Sequence, residues 1–347
     1  MLAWGRRHGF LITLAILFAI GFFAAETLRP VTEMTWLRNA IVFAVMWASG
    51  VTLPLQSVQQ SIRRPASISV AIGLNVVAVP LAAWWIAGWM APDWRAAFYV
   101  ASLVPCTLAS AMVWTRRAGG DESIPMVTTV VTNLACVAVI PIGWWMVSQS
   151  ETVAVLSQAN SAVASTPATG APSIIDQVIK LVGIVVVPLS VAQWMRRRGW
   201  AEWADRSKRR LSTAAQGGIL VMVMFGAVTS ADRLSEITRE GGLAVFVQLI
   251  ATASVIHLLV LAGAIAVIRW CLQRPRETQI AVGFSASQKT LAIGLQASID
   301  FGVSVLPMIV YHIAQLVWDT VIADAWSKSV DPVSPDETVE RSVNRAE

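Results

Sequence analysis

Two short stretches of a strongly apolar chain carry groups that could bind an ion or a polar solute. The first is Ser102-Leu103-Val104-Pro105-Cys106-Thr107-Leu108-Ala109-Ser110, a proline set among three hydroxyls. Proline has no amide hydrogen and crowds the preceding turn, so Pro105 frees a backbone carbonyl one turn earlier. A plain helix kink would explain the proline equally well. The second stretch runs from Gly283 to Gln296 and holds Ser285, Ser287, Gln288, Lys289, Thr290 and Gln296 in one apolar segment. Lys289 lies about ten residues from either end of that segment, too deep to snorkel. Burying a lysine at mid-membrane costs about 2.5–3.5 kcal/mol, to be offset by a partner, a wet cavity or loss of its proton. Such a residue reads as functional; the bland alternative is a structural lysine that satisfies the carbonyls of a broken helix.

The elements that must position these groups follow from composition. Hydrophobic residues make up 56% of 347 positions and charged residues 14%, against roughly 25% charged in soluble domains. A soluble fold of this length could not hide so much apolar surface, so lipid is the solvent. Stretches long enough to span lie at about 9–25, 37–58, 67–90, 96–115, 124–148, 176–195, 211–229, 242–268, 278–297 and 301–325. The first also has the make-up of a signal peptide, with Arg6 and Arg7 ahead of it and Phe23-Ala24-Ala25 at its end.

Ten spans with a cytoplasmic amino terminus place 19 Lys and Arg residues inside, against 5 outside. The heaviest cluster is the run from Arg196 to Arg210. That bias puts both termini in the cytoplasm of an integral protein of the plasma (inner) membrane. Trp84, Trp85, Trp89, Trp94, Trp144 and Trp145 gather at span ends, where interfacial anchoring is expected. Residues 149–175 are rich in Ser, Ala, Thr and Pro, lack Lys and Arg, and read as an external linker. The linker separates a first five-span set, 1–148, from a second, 176–327, and the polar tail 328–347 reads as disordered and cytoplasmic. Because five is odd, the second set enters the membrane in the opposite sense, as in an inverted repeat.

Other intramembrane polar groups are Asn75, Gln248, His257, His312, Gln315 and Asp319, and single cases are usually interhelical hydrogen bonds. His312, Gln315 and Asp319 recur at spacings of three and four, on one wet or inward helix face. Lys180, four residues after Asp176, reads as an interfacial lysine paired along its own helix. Cys106, Cys136 and Cys271 fall in or beside apolar segments and suggest no disulfide. The net charge of +5 sits in short loops, a sign of membrane orientation rather than of nucleic-acid binding. There is no metal-binding spacing, phosphate loop or serine elbow, so neither an enzyme nor a resident cofactor is expected.

The string Ser-Gln-Lys-Thr-Leu-Ala-Ile-Gly from Ser287 resembles the bile acid:sodium symporter superfamily, particularly its SBF-like branch. Similar too are Pro105 to Ser110, then Gly119-Gly120-Asp121, then Thr128, Thr129, Thr132 and Asn133. The resemblance implies an all-α membrane protein of ten helices in two inverted five-helix repeats. Helices 4 and 9 would be broken and cross between a panel domain and a core domain. It also implies transport of organic anions, often with sodium. Ser110 then matches a sodium-ligand serine, Gln288 a glutamine of the ninth span, and Thr128 or Thr129 a threonine ligand of the fifth. The pattern departs at Ala111, where sodium-coupled members have Asn, at Phe284, where they have Glu, and at Lys289, where they have Asn. A sodium site without its carboxylate and facing an ammonium is electrostatically poor, which leaves at most a vestigial site at Ser110 and Gln288.

The expected function is therefore secondary transport of a small organic anion, with Lys289 replacing the bound cation and either proton or sodium as a coupling ion. The expected solute and ion contacts are Pro105, Thr107, Ser110, Thr128, Thr129, Thr132, Asn133, Ser287, Gln288, Lys289, Thr290 and His312. A non-transporting membrane regulator or sensor on the same fold is the alternative.

Overall fold

The computed structural model describes residues 2–54, 65–107, 110–148, 173–232, 235 and 242–328. The linker expected at 149–175 falls outside these from 149 to 172, as do Leu108, Ala109 and the tail beyond Lys328. The described residues are helical, with no strand among them. Helices α1 (Leu2–Phe23), α2 (Ala25–Thr32), α3 (Thr35–Val51) and α4 (Pro65–Trp89) come first. Then follow α5 (Pro92–Leu103), α6 (Ser110–Arg117), α7 (Ser123–Ser148), α8 (174–200) and α9 (Ala201–Thr229). The chain ends in α10 (Gly242–Cys271), α11 (Arg276–Ser287), α12 (Leu291–Asp300) and α13 (Leu306–Lys328).

Local chemistry sets many of these boundaries. Pro92 begins α5, where its missing amide costs nothing. Ser173 caps α8 by accepting from the Asp176 amide at 3.1 Å and donating to its carboxylate at 2.7 Å. Gly199 adopts φ +95 and folds one long helix into α8 and α9. The run 196–210, read from sequence as a loop, is thus a single kink followed by helix. Arg206 there pairs with Glu202 one turn back at 2.7 Å.

Among the described residues five helices are long and apolar enough to cross a membrane, or six if α1 and α2, bent by 98°, count as one span. The sequence expectation of ten is thus not what length and apolarity give. One of the five is the 56-residue run 174–229, which holds two expected spans joined at the Gly199 kink. The stretches 96–115 and 278–297 are each cut into two helices of 8 to 12 residues, all too short to qualify alone.

Packing explains the composition. Large apolar side chains such as Ile179, Leu243, Val247, Leu81 and Val321 are more than half exposed along helices that also have buried faces. An apolar outer surface of this kind belongs in lipid. Helices α1, α3, α8 and α9 pack on one another, while α4, α5, α7, α10, α11 and α13 form a second group. Not every tryptophan at a span end is an anchor. Trp85 and Trp89 are exposed, whereas Trp94 and Trp144 are buried, Trp144 stacked on Phe301 at 4.6 Å.

Candidate ion and solute site

The chain is broken twice at the same depth, and the breaks touch. Helix α5 stops at Leu103, and Val104 turns extended (φ −72, ψ 156), as steric pressure from a following proline requires. Helix α11 stops at Ser287, with Gln288 and Thr290 also extended before α12. The Thr290 amide donates to the Pro105 carbonyl at 2.9 Å, joining the two unwound segments.

Helix α7 holds the first break with neutral groups. Thr132 Oγ1 accepts from the Cys106 amide at 3.2 Å, and Thr129 Oγ1 donates to the Thr107 carbonyl at 3.2 Å. Asn133 Nδ2 donates to the Cys106 carbonyl at 3.2 Å and to the Thr129 carbonyl at 2.7 Å. These bonds replace the helical partners that unwinding removes, which is the condition for irregular backbone in a membrane. Of the two threonines matched to one ligand position, Thr129 reaches the break. Thr128 is buried with no hydrogen-bond partner among the described residues.

The second break is held by charged and amide groups. Lys289 is fully buried, and its Nζ donates to the Asn75 carbonyl at 2.7 Å, Asn75 Oδ1 at 3.1 Å and the Val104 carbonyl at 2.9 Å. The Asn75 carbonyl is free for a local reason. Leu74–Ala78 is a π-helical turn in which the Val79 amide bonds Leu74, and residue 80 is a proline without an amide. The Asn75 side chain in turn donates to the Ser285, Ala286 and Gln288 carbonyls at 3.0–3.2 Å. Gln315 clamps Lys289 by its backbone, accepting from the amide at 2.9 Å and donating to the carbonyl at 3.0 Å.

Gln288 joins both broken helices to α13. Its Oε1 accepts from Ser110 Oγ at 2.9 Å, and its Nε2 donates to Asp319 Oδ2 at 2.6 Å. Asp319 Oδ1 lies 2.9 Å from His257 Nε2, and both residues are fully buried. His257 Nδ1 faces the Ser287 carbonyl at 3.4 Å, and Tyr311 Oη donates to the same oxygen at 3.0 Å. Each imidazole nitrogen thus faces an acceptor. Both contacts are bonds only if the pair holds a proton beyond neutral imidazole and carboxylate. His312 sits one step back, its Nδ1 2.8 Å from Gln315 Nε2. Ser287 Oγ turns away and bonds its own helix at Gly283.

The structure corrects three readings of the sequence. Phe284, where the resemblance implies a carboxylate, is buried against Trp326 in an apolar cluster with Ala118, Leu261, Ile280 and Ala323. The crossing nonetheless has a carboxylate, because α13 delivers Asp319 to Gln288. The spacing of Asp319 from His312 and Gln315 marks an inward helix face, and only the packing shows which group it meets there. Asn75 and His257 had passed as ordinary interhelical polar groups, although the Asn75–Pro80 spacing was a legible sign of a freed carbonyl. Lys180 pairs with Asp300, both oxygens at 2.6 Å, and not with Asp176.

A cavity of about 300 Å³ opens beside this crossing between α3, α7 and α8. Asn133, Ser190, Gln193 and Arg197 supply its polar lining, and Leu53, Leu134, Leu189 and Trp194 much of its apolar wall. It thus runs from the Arg196–Arg198 cluster toward the amide that holds the first break.

Buried polar groups around two unwound segments, in helices faced with apolar residues, are those of an integral membrane protein with an interior polar site. The chain belongs to the SBF-like CPA transporter family, whose sequence profile matches residues 8–328. It is 23% identical over 257 residues to the Escherichia coli K12 protein named "Putative symporter YfeH", covering 72% of this chain and 71% of that one. It is likewise 23% identical over 239 residues to the Arabidopsis thaliana protein named "Probable sodium/metabolite cotransporter BASS4, chloroplastic". That match covers 64% of this chain and 50% of the plant protein.

Proposed function

We propose that the protein is a secondary transporter of a small organic anion and that Lys289 takes the place of a bound cation at the crossing. The observation that carries this reading is an ammonium, wholly buried, that donates to uncharged oxygens of Asn75 and Val104. A fixed positive charge in that setting attracts an anion strongly, because little solvent screens it. The proposed architecture is ten spans in two inverted five-helix repeats, with α5–α6 as the fourth and α11–α12 as the ninth. Both termini face the cytoplasm of the plasma (inner) membrane, and residues 149–175 link the repeats outside.

The proposed binding groups are Thr107, Ser110, Thr129, Thr132, Asn133, Gln288, Lys289 and Thr290, with Pro105 and Ser287 shaping the breaks. Thr128 stays outside the bonded network, and His312 joins it through Gln315. A second reading, sodium coupling, is favoured by the Asp319 carboxylate beside Gln288 and Ser110, and by the word sodium in the name of the plant relative.

Uptake into proteoliposomes separates the two. The probe is an organic anion chosen because it raises the thermal stability of the purified protein. Uptake equal in sodium and potassium, and reduced about tenfold or more by Lys289→Gln, supports the fixed-cation mechanism. Strict sodium dependence refutes that mechanism in favour of sodium coupling, and full activity of Lys289→Gln refutes it while leaving the transporter assignment standing.

A further inference from the structure

The seam between α7 and α8 has a cavity at each end, and the two ends are unlike. The one beside Arg197 is described above. The other, about 150 Å³, lies between α7, α8 and α12 at the end away from the arginine cluster. Between them Leu181, Ile184 and Val185 of α8 pack with Cys136 and Ile140 of α7 in one apolar cluster. Across the smaller cavity Lys180 Nζ meets both oxygens of Asp300 at 2.6 Å, and Gln296 Nε2 donates to Asp300 Oδ1 at 2.9 Å. The ion pair is partly shielded, at 24% and 18% exposure. Gln296 lines the cavity and is 1% exposed, and its Oε1 has no hydrogen-bond partner among the described residues.

We infer that this cavity is an outer recognition site in which the anionic group of a solute displaces Asp300 from Lys180 and so releases α12 from α8. The inference rests on the reading of the chain as an anion transporter. The exchange trades one ion pair for another in a partly shielded place, so an anion can make it at little net cost. The freed Asp300, 18% exposed at the end of α12, turns to water, whereas a neutral solute would leave Lys180 without its counter-charge. Gln296 Oε1 is an acceptor awaiting a donor, so the site fits an organic anion that also carries a hydroxyl or an N–H. Asp176, the other carboxylate lining the cavity, is already bonded by Ser173 Oγ at 2.7 Å. Asp300 is the last residue of α12, and the first follows Lys289-Thr290. Freeing the outer end of α12 therefore acts on a helix about 15 Å long whose other end adjoins the buried ammonium.

The test needs no transported solute. Ala297, which lines the cavity, is replaced by cysteine in a Cys271→Ser background, the remaining Cys106 and Cys136 being buried. An anionic and a cationic membrane-impermeant methanethiosulfonate are then compared from the outer face. The lining carboxylates Asp176 and Asp300 outnumber Lys180, so net charge alone would favour the cationic reagent. Displacement of Asp300 from Lys180 by the reagent's anionic group should instead make the anionic reagent label Ala297→Cys faster, by about tenfold or more. Lys180→Met should abolish the preference while speeding labelling overall, because the tie is broken. The exchanged pair Lys180→Asp with Asp300→Lys, which keeps a tie, should keep labelling slow. Equal rates for the two reagents, no labelling by either, or a preference that survives Lys180→Met would overturn the outer site. None of these outcomes bears on uptake by the crossing, so the transport reading stands or falls separately.

Discussion

The two broken helices are held in opposite ways. Apart from Lys289 on the Val104 carbonyl, the α5–α6 break is tied by hydroxyls and one amide of α7, all uncharged, with Thr129, Thr132 and Asn133 bonding residues 106 and 107. The α11–α12 break is tied by Lys289, Asp319 and His257, with Asn75, Gln288 and Gln315 spreading their charge over amide dipoles. Neutral bonds of the first kind contribute about 0.5–1.5 kcal/mol each and do not depend on an ion. Groups of the second kind are stable in the interior only in their full set, since removing one leaves another charge uncompensated. The first break thus serves as scaffold, and the second is where a charged solute or coupling ion can shift the balance.

That contrast can be broken most directly at Asp319. Asp319→Leu leaves Gln288 Nε2 and His257 without their shared acceptor and should cost about 3–5 kcal/mol, read as a fall in the unfolding midpoint of the detergent-purified protein. A loss below about 1 kcal/mol would mean that the charged set is not a unit. Asn133→Leu at the neutral break deprives the Cys106 and Thr129 carbonyls of one donor and should cost less, about 1–3 kcal/mol by the same measurement. The smallest effect is expected at Ser110→Ala, which removes one hydroxyl donor to Gln288. Stability should fall by about 1 kcal/mol or less, with uptake retained in large part because Lys289 and Asp319 are untouched. A loss of uptake at Ser110→Ala as deep as at Lys289→Gln would instead make the hydroxyl a direct ligand.

Much of this was legible beforehand. Hydropathy located the helical stretches, Pro105 marked one break, and the cost of burying Lys289 marked the other as the place where polar partners must converge. The helical bounds of 96–115 and 278–297 were less legible, because an apolar run reads the same whether its backbone is continuous or unwound. The partners were the least legible. Asn75 lies 214 positions from Lys289 and Asp319 lies 31 from Gln288, and periodicity carries no information on such pairings.

The sequence by itself therefore determined the solvent of this protein, its helices and the need for a compensated charge at mid-membrane. Each of these follows from transfer free energies that are local to a residue or a window. Only the tertiary structure decided what compensates that charge. It set the oxygens of a π-turn and an interrupted helix against Lys289, brought Asp319 to Gln288 and His257, and gave Lys180 to Asp300 rather than to its own helix. Those choices depend on which helix faces meet, and that is a property of the packed assembly rather than of any segment of it.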